Sequence, residues 1–233
     1  MKKIFQRYFI DAMSAMAMGL FASLVIGVVL SQFAKLSFLA WLEPFVAMVD
    51  VTSPVVGAAI GVAVAYGLKS KGLVLFSSAA AGAVGYSMGG PVGAYLSAVV
   101  SAELGTLVQG KTPVDIVLVP SVCLISGGLA GTLVGPYISQ AMAWLGSVVN
   151  QATQLMPVPM GVAVSAIMGI LLTAPVSSAA ISISLGLSGI AAGAAAVGCS
   201  TQMVGFAVAS YRENKLGGLL SQGLGTSQLQ VGN

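Results

Sequence analysis

The stretch that decides the fold lies between residues 173 and 227. It reads T-A-P-V-S-S-A-A-I (173–181), then A-A-G-A-A-A-V-G-C-S-T-Q-M-V-G-F-A-V-A-S-Y-R-E-N (191–214), then G-G-L-L-S-Q-G-L-G-T-S (217–227). Gly, Ala and Ser predominate, and such small residues allow helix backbones to approach closely inside a bilayer. The glycine-rich pieces indicate non-helical backbone at membrane depth, which is tolerated only where it is buried in protein or lines a cavity. A weaker copy around residues 80–110 predicts that two such elements form a substrate site, as in many transporters.

The composition predicts an integral membrane protein. The chain of 233 residues is 57% hydrophobic and 6% charged, whereas an average soluble domain is about 25% charged, and its mean hydropathy is +1.00. It contains no His, which excludes imidazole metal sites, Ser-His-Asp catalysis and a His proton relay. The basic residues lie at predicted membrane edges, so the net charge of +3 does not indicate nucleic-acid binding. Cys123 and Cys199 lie in apolar runs and are expected to be buried thiols.

The predicted fold class is an all-α membrane protein with about eight transmembrane helices. A helix needs about 20 apolar residues to cross the bilayer, and Gly, Pro and charged residues mark the ends of the apolar runs. Two segments with a Trp, 36–48 and 137–155, are predicted to be interfacial helices. A charged loop at 212–215 precedes a glycine-rich tail, which is interpreted as a re-entrant segment or the start of a further span. The predicted spans are residues 9–33, 54–68, 72–88, 91–109, 116–135, 158–173, 177–195 and 198–211.

Charge placement predicts the orientation of these spans. If the N-terminus is cytoplasmic, every Lys and Arg except Lys35 falls on the cytoplasmic side. This distribution agrees with the positive-inside rule. We therefore expect a multi-pass protein, surrounded by membrane lipid, with its N-terminus in the cytoplasm.

An internal repeat is predicted from motifs that recur in the same order. The two copies are expected to be residues 1–112 and 113–233 of one membrane domain, with an insertion of about T-A-P-V-S-S-A-A-I-S (173–182) in the second. Four spans in each copy would make the copies parallel, whereas one span more or fewer would make them inverted. The recurring pairs are Asp11 and Asp115, Leu20 and Leu124, Gly27 and Gly131, A-W-L at 40–42 and 143–145, Pro54 and Pro157, V-G-Y-S (84–87) and V-G-C-S (197–200), and Gln109 and Gln222.

Polar residues inside the predicted spans are the candidate site residues. Charges inside a membrane are costly and rare, so Glu103 is the strongest candidate for contact with a substrate hydroxyl, a cation or a proton. The alternative is a carboxylate that reaches the interface or bonds a neighbouring helix. Uncharged polar groups near helix breaks suit a polyhydroxy ligand or a desolvated ion, although helix–helix hydrogen bonds explain most single members. The candidate substrate-binding residues are Glu103, Ser87, Gly89, Gly90, Thr173, Ser177, Ser178, Ser200, Gln202 and Asn214.

The sequence contains no motif for a cofactor, a metal or a stand-alone catalytic centre. Its longer motifs instead resemble one family. From about residue 53 to the end, the chain resembles the membrane-component (EIIC-like) family of the bacterial phosphotransferase system that includes perfringolysin O regulator-like proteins. The motifs that carry this resemblance are S-P-V-V-G-A-A-I-G-V (53–62), A-E-L-G-T-L-V-Q-G-K-T-P-V-D-I (102–116), M-G-V-A-V-S-A-I-M-G-I-L-L-T-A-P-V-S-S-A-A-I (160–181), the run 186–214 and G-T-S-Q-L-Q (225–230).

The resemblance implies a sugar-translocating permease of the bacterial inner membrane that works with cytoplasmic phosphorylating components and forms a homodimer. Sugar EIIC proteins use a Glu and a His near the substrate, and without His this arrangement does not carry over. Family members commonly continue beyond a motif such as L-Q-V-G-N (229–233), so either a short member or a chain without part of the usual fold is expected. Two alternatives stay open. One is a membrane sensor or regulator of the same fold without transport, and the other is an ion-coupled carrier or channel unrelated to sugars.

Overall fold

The computed structural model describes residues 2–173 and 178–225. Within these ranges every regular element is helical and no strand is present, so the predicted all-α class is confirmed. Four of the described helices are long and apolar enough to cross a membrane. The total of eight spans and their organisation as two repeats stay predictions.

The helices in the described residues are numbered α1 to α8. Helix α1 contains two π-helical stretches, Gln6–Ala12 and Phe21–Val25, and α2 begins with a 3-10 turn. The four long helices are α1, α4, α5 and α8. The bounds are α1 (Lys3–Ala34), α2 (Ser37–Ala47), α3 (Pro54–Gly67), α4 (Gly72–Val108), α5 (Asp115–Leu155), α6 (Pro157–Thr173), α7 (Ser178–Ser184) and α8 (Gly189–Leu220).

The chain divides into two compact units. Unit 1 is Met1–Ala141 and unit 2 is Met142–Asn233, so the division falls inside α5. The repeat boundary predicted between residues 112 and 113 concerns sequence similarity rather than compactness, and it stays a prediction.

In unit 1, helices α1, α3 and α4 pack side by side in alternating directions. Gly19 of α1 lies against Ile60 of α3, whereas Gly67 at the end of α3 lies against Ala15. Because the contacts run in opposite order along the two helices, α1 and α3 are antiparallel. Small residues allow this close approach of the backbones.

Helix α4 is interrupted by a break at Gly89–Gly90, as the S-M-G-G-P sequence predicts. Gly89 has φ −139° and ψ 17°, and Gly90 has φ 60° and ψ −153°, a conformation that is essentially restricted to glycine. The two segments fold back on each other, since Gly85 lies against Gly93. Helix α4 is therefore a helical hairpin, and its segments correspond to the predicted spans 72–88 and 91–109.

Helix α5 packs on this hairpin through glycines spaced four residues apart. Gly127 lies against Ala81, Gly131 against Ser97, and Gly135 against Gly89 at the break. The predicted interfacial helix 137–155 is not separate, because α5 continues through Pro136 to Leu155, and that part of the prediction is wrong. Neighbouring protein groups can satisfy the backbone that a proline frees inside a membrane helix.

In unit 2, helices α6 and α8 are parallel. Gly161 lies against Ala194, and Gly198 lies against the backbone of Ser165. Gly169 is next to Gln202, whose Cβ would be 3.7 Å from a Cβ placed on the glycine. Each contact advances by the same number of residues along both helices, so the two helices run in the same direction.

The predicted span 177–195 is wrong, because the described part of it contains a break. Helix α7 ends at Ser184 and α8 begins at Gly189. Gly186 and Gly189 have φ values of 59° and 53°, which L-residues rarely adopt and which end a helix. Asn150 of α5 bridges this break: its Nδ2 donates to the Gly186 carbonyl at 3.1 Å, and its Oδ1 accepts from the Ser188 amide at 3.1 Å.

The predicted charged loop 212–215 is confirmed only at its last residue, because α8 stays helical through Asn214 and is interrupted at Lys215. Lys215 has φ 51° and ψ −143°. The chain then turns back, because Gly218 lies against Ser210 and Gly223 lies against Ala207. The described part of the glycine-rich tail therefore folds against α8, while residues 226–233 lie outside the described residues.

Candidate functional site

The carboxylate of Glu103 lies at the centre of a polar cluster in unit 1. Arg7 of α1 donates from Nη2 to Glu103 Oε1 at 2.6 Å, and the Tyr8 hydroxyl donates to the same oxygen at 3.0 Å. The side chains of Arg7 and Glu103 are 48% and 31% exposed. Arg7 and Glu103 therefore form an ion pair without net charge, and both side chains remain partly exposed.

Two tyrosines hold this cluster in place. The Arg7 guanidinium carbon lies 5.7 Å from the centroid of the Tyr8 ring, within the range of a cation–π interaction. The Tyr95 hydroxyl donates to the Tyr8 backbone carbonyl at 2.7 Å, which ties α1 to the second segment of α4. We call Arg7, Tyr8, Tyr95 and Glu103 the Arg7–Glu103 cluster.

The sequence interpretation found Glu103 but missed Arg7, Tyr8 and Tyr95. Arg7 and Glu103 are 96 positions apart in the chain, so no local spacing links them. One signal was available, because an intramembrane acid is expected to have a partner of opposite charge. Arg7 is a basic residue close to an apolar helix and was assigned only to the cytoplasmic edge.

The predicted site residues of unit 1 do not converge on one point. Ser87 is exposed and donates to the Ala83 carbonyl of its own helix at 3.1 Å. Gly89 and Gly90 form the break, and Glu103 lies 13 residues beyond Gly90. At a rise of about 1.5 Å per residue, this places the carboxylate about 20 Å from the break along the helix. The structure brings Ser87, Gly89 and Gly90 together and leaves Glu103 apart from them.

The predicted site residues of unit 2 lie in different surroundings. Ser178 is buried, and its Oγ accepts a long contact of 3.8 Å from Cys199 Sγ. Gln202 is half-buried beside Gly169, whereas Ser200 and Asn214 are exposed. Thr173 is the last residue of α6, and Ser177 lies outside the described residues.

Two cavities in the described residues are lined by other groups. In unit 1 a cavity of about 190 Å³ lies between α1 and α2, with Ser31 and Asp50 as its polar lining. In unit 2 an open groove of about 490 Å³ follows the α6–α8 pair, with Ser165 as its polar lining. Neither contains a predicted substrate-binding residue. Over residues 2–173 and 178–225 no group of three His, Cys, Asp or Glu side chains converges as a metal site would require.

Comparison with known families assigns the chain to one of them. The family model described as "Phosphotransferase system, EIIC" matches residues 10–233. No match was found among curated proteins or among solved structures. The family match confirms the resemblance noted from residue 53 onward, extends it to residue 10, and includes Glu103 and both helix breaks. The chain belongs to the EIIC family of the phosphotransferase system, a family of integral membrane transport components.

Proposed function

We propose that this protein is the membrane permease of a sugar phosphotransferase system and that it translocates a small, polar, uncharged solute. The observation that carries the proposal is the family match over residues 10–233, in a chain with four helices long and apolar enough to cross a membrane. Cytoplasmic phosphocarrier components are its proposed partners. A homodimer is its proposed assembly, which the mass of the purified protein in detergent would test.

The two helix breaks support a transport mechanism. Gly89–Gly90 interrupts α4 against Gly135 of α5, and the break at residues 185–188 packs against Gly146 of the same helix. Non-helical backbone frees amide and carbonyl groups, which transporters use to bind solutes near the middle of the membrane. Ser87, Gly89 and Gly90, which lie at the first break, are the solute contacts that this mechanism uses directly. The remaining predicted contacts stay proposals at their own positions in unit 2, and Ser177 lies outside the described residues. They are Thr173, Ser177, Ser178, Ser200, Gln202 and Asn214.

We propose that the solute crosses by alternating access between the two predicted repeats, and the helix starts support the repeats themselves. Pro54 and Pro157 each begin a helix, as expected for proline at the first helical position. The V-G-Y-S motif at 84–87 lies in α4, which packs against α3, the helix that Pro54 begins. The V-G-C-S motif at 197–200 lies in α8, which packs against α6, the helix that Pro157 begins.

The distribution of charge in unit 1 supports a cytoplasmic N-terminus. Arg7 pairs with Glu103 near the end of α4, and Lys69 and Lys71 follow α3 at the end where Gly67 meets the start of α1. Lys35 follows the opposite end of α1. An excess of basic residues at one end is the positive-inside pattern, and thiol labelling of an introduced Lys3→Cys in intact cells would test it.

Solute uptake by the reconstituted protein tests the proposed function. Proteoliposomes would be loaded with an unlabelled sugar or polyol, and entry of the same labelled compound would be followed for a panel of neutral sugars and polyols. We expect counterflow for at least one compound. Binding without flux would contradict transport and favour the sensor. Currents that depend on an ion gradient and not on any sugar would favour the ion-coupled carrier or channel.

A further inference from the structure

We propose that Arg7 and Glu103 together form a binding site for two adjacent hydroxyl groups of the solute. This inference rests on the proposed function and deepens it, because it assigns a solute contact to Arg7 and Glu103, apart from the break at Gly89–Gly90, and names the chemical group that is recognised. The site would lie near the ends of α1 and α4, about one and a half turns before the last residue of α4.

Arg7 and Glu103 each use only part of their hydrogen-bonding capacity within the described residues. Both contacts to Glu103 reach Oε1, and within residues 2–173 and 178–225 no hydrogen bond reaches Oε2. Arg7 donates only from Nη2 in the same ranges, although a guanidinium carries five N–H donors. One carboxylate oxygen and several N–H groups therefore lie side by side, partly exposed and without partners in the described residues.

The unused groups match the chemistry of a vicinal diol. One hydroxyl can donate to Glu103 Oε2, while its neighbour accepts from the Arg7 guanidinium. Hydrogen bonds with one charged partner are stronger than neutral ones. Because the two charges neutralise each other, the pair favours an uncharged polyhydroxy compound over an anion or a cation.

The surrounding residues restrict the pair to one geometry. Tyr8 contacts both members, through its hydroxyl to Glu103 and through its ring to Arg7. Tyr95 fixes the backbone of Tyr8. A site whose side chains are already oriented binds more tightly, since less side-chain freedom is lost when the solute arrives.

The competing explanation is an ion pair that only attaches α1 to α4. The two explanations differ in what a charge exchange does. Exchanging the charges, as Arg7→Glu with Glu103→Arg, restores a simple ion pair. It does not restore a diol site, because the carboxylate, the guanidinium and Tyr8 no longer occupy their original places.

Binding measurements on purified protein separate these explanations. The probes are D-glucose, D-galactose, D-mannitol and ribitol, with the monodeoxy derivatives of each. We expect Glu103→Gln and Arg7→Gln each to weaken binding of the best probe about tenfold to a hundredfold, with little change in melting temperature. Asp11→Asn and Lys3→Gln, which change exposed charges of the same helix, are the matched controls and should leave the dissociation constant unchanged.

The monodeoxy derivatives provide the more specific test of the diol site. A monodeoxy derivative that lacks one of the two adjacent hydroxyls should bind the wild type as weakly as the intact best probe binds Glu103→Gln. The same derivative should bind Glu103→Gln almost as well as it binds the wild type, because the hydrogen bond is already absent. Unchanged dissociation constants in both variants would overturn the diol site, as would recovery of binding by the charge exchange. If wild type transports a probe while the variants bind it normally, only this inference fails. If wild type binds none of the four probes, the proposed function fails with it.

Discussion

Unit 1 and unit 2 each pack a helix that begins with proline against a later helix, but the two pairs have opposite relative directions. In unit 1, Gly57 meets Gly82 and Gly61 meets Ser78, so α3 and α4 are antiparallel. In unit 2, contacts farther along α6 are also farther along α8, so these two helices are parallel. The two helix pairs therefore differ in topology.

The connections explain this difference. Helix α3 joins α4 through residues 68–71, a loop too short for anything but a reversal of direction. Helix α6 ends at Thr173, whereas α8 begins at Gly189 near the starting end of α6, and the described residues between them form α7 and the break bridged by Asn150. The insertion predicted at 173–182 overlaps residues 174–177, which lie outside the described residues, and it stays a prediction.

The largest loss of stability is expected at the glycines where the two helix backbones within each pair are in contact. A Cβ at Gly61 would collide with the Ser78 carbonyl, and one at Gly198 with the Ser165 carbonyl. Gly61→Leu and Gly198→Leu should each cost about 3 kcal/mol or more, because backbone cannot move aside as a side chain can. Size-exclusion profiles in detergent would show loss of the folded peak.

Gly193 provides the matched control, since it lies in α8 with open space around its Cβ position. Gly193→Leu should keep the folded peak. Equal tolerance of all three substitutions would mean that the helix pairs are not in contact at these glycines.

A second effect distinguishes two neighbouring glycines of α5. A Cβ at Gly127 would lie 2.5 Å from the Ala81 Cβ, whereas Gly128 has nothing within 4 Å. Gly127→Ala should destabilise unit 1 by about 1–3 kcal/mol through overpacking. Gly128→Ala should be neutral or stabilising by up to about 1 kcal/mol, because alanine favours the helix. Thermal unfolding of both variants would check the difference, and the reverse order would refute the packing of α5 on the hairpin.

The break in α4 predicts a third effect. Gly90 has open space around it, so Gly90→Ala changes only the backbone preference at φ 60°. We expect a loss of about 1–3 kcal/mol, because this conformation is essentially restricted to glycine. No loss of stability would indicate that α4 does not turn at this residue, and hydrogen exchange of residues 86–93 would locate the change.

The smallest effect is expected at the break in unit 2. Asn150→Ala removes two hydrogen bonds to backbone, for a loss of about 1–2 kcal/mol, while Asn150→Asp keeps the acceptor for the Ser188 amide but sets a carboxylate oxygen against the Gly186 carbonyl and should lose at least as much. Chemical denaturation in detergent would rank the two variants. Equal stability of wild type and Asn150→Ala would show that the bridge does not form.

The sequence predicted those features that single residues determine. Pro54 and Pro157 begin helices, and Gly89–Gly90 interrupts one, because proline and glycine act on their own backbone. The break at 185–188 was missed, because Gly186 and Gly189 look like ordinary small residues in an apolar run. Arg7 was missed for a different reason, since its partner is distant in the chain and only packing of α1 against α4 brings them together.

The measurement that most directly tests this account is disulfide cross-linking within unit 2, after Cys123 and Cys199 have been replaced by Ala. Two cysteine pairs are introduced at 161 with 194 and at 169 with 202, where the Cβ atoms would be 4.0 Å and 3.7 Å apart, within the range of a disulfide. Parallel α6 and α8 predict that both pairs cross-link readily in the membrane, whereas 161 with 202 and 169 with 194 do not. Cross-linking of the exchanged pairs alone would contradict the parallel arrangement of α6 and α8.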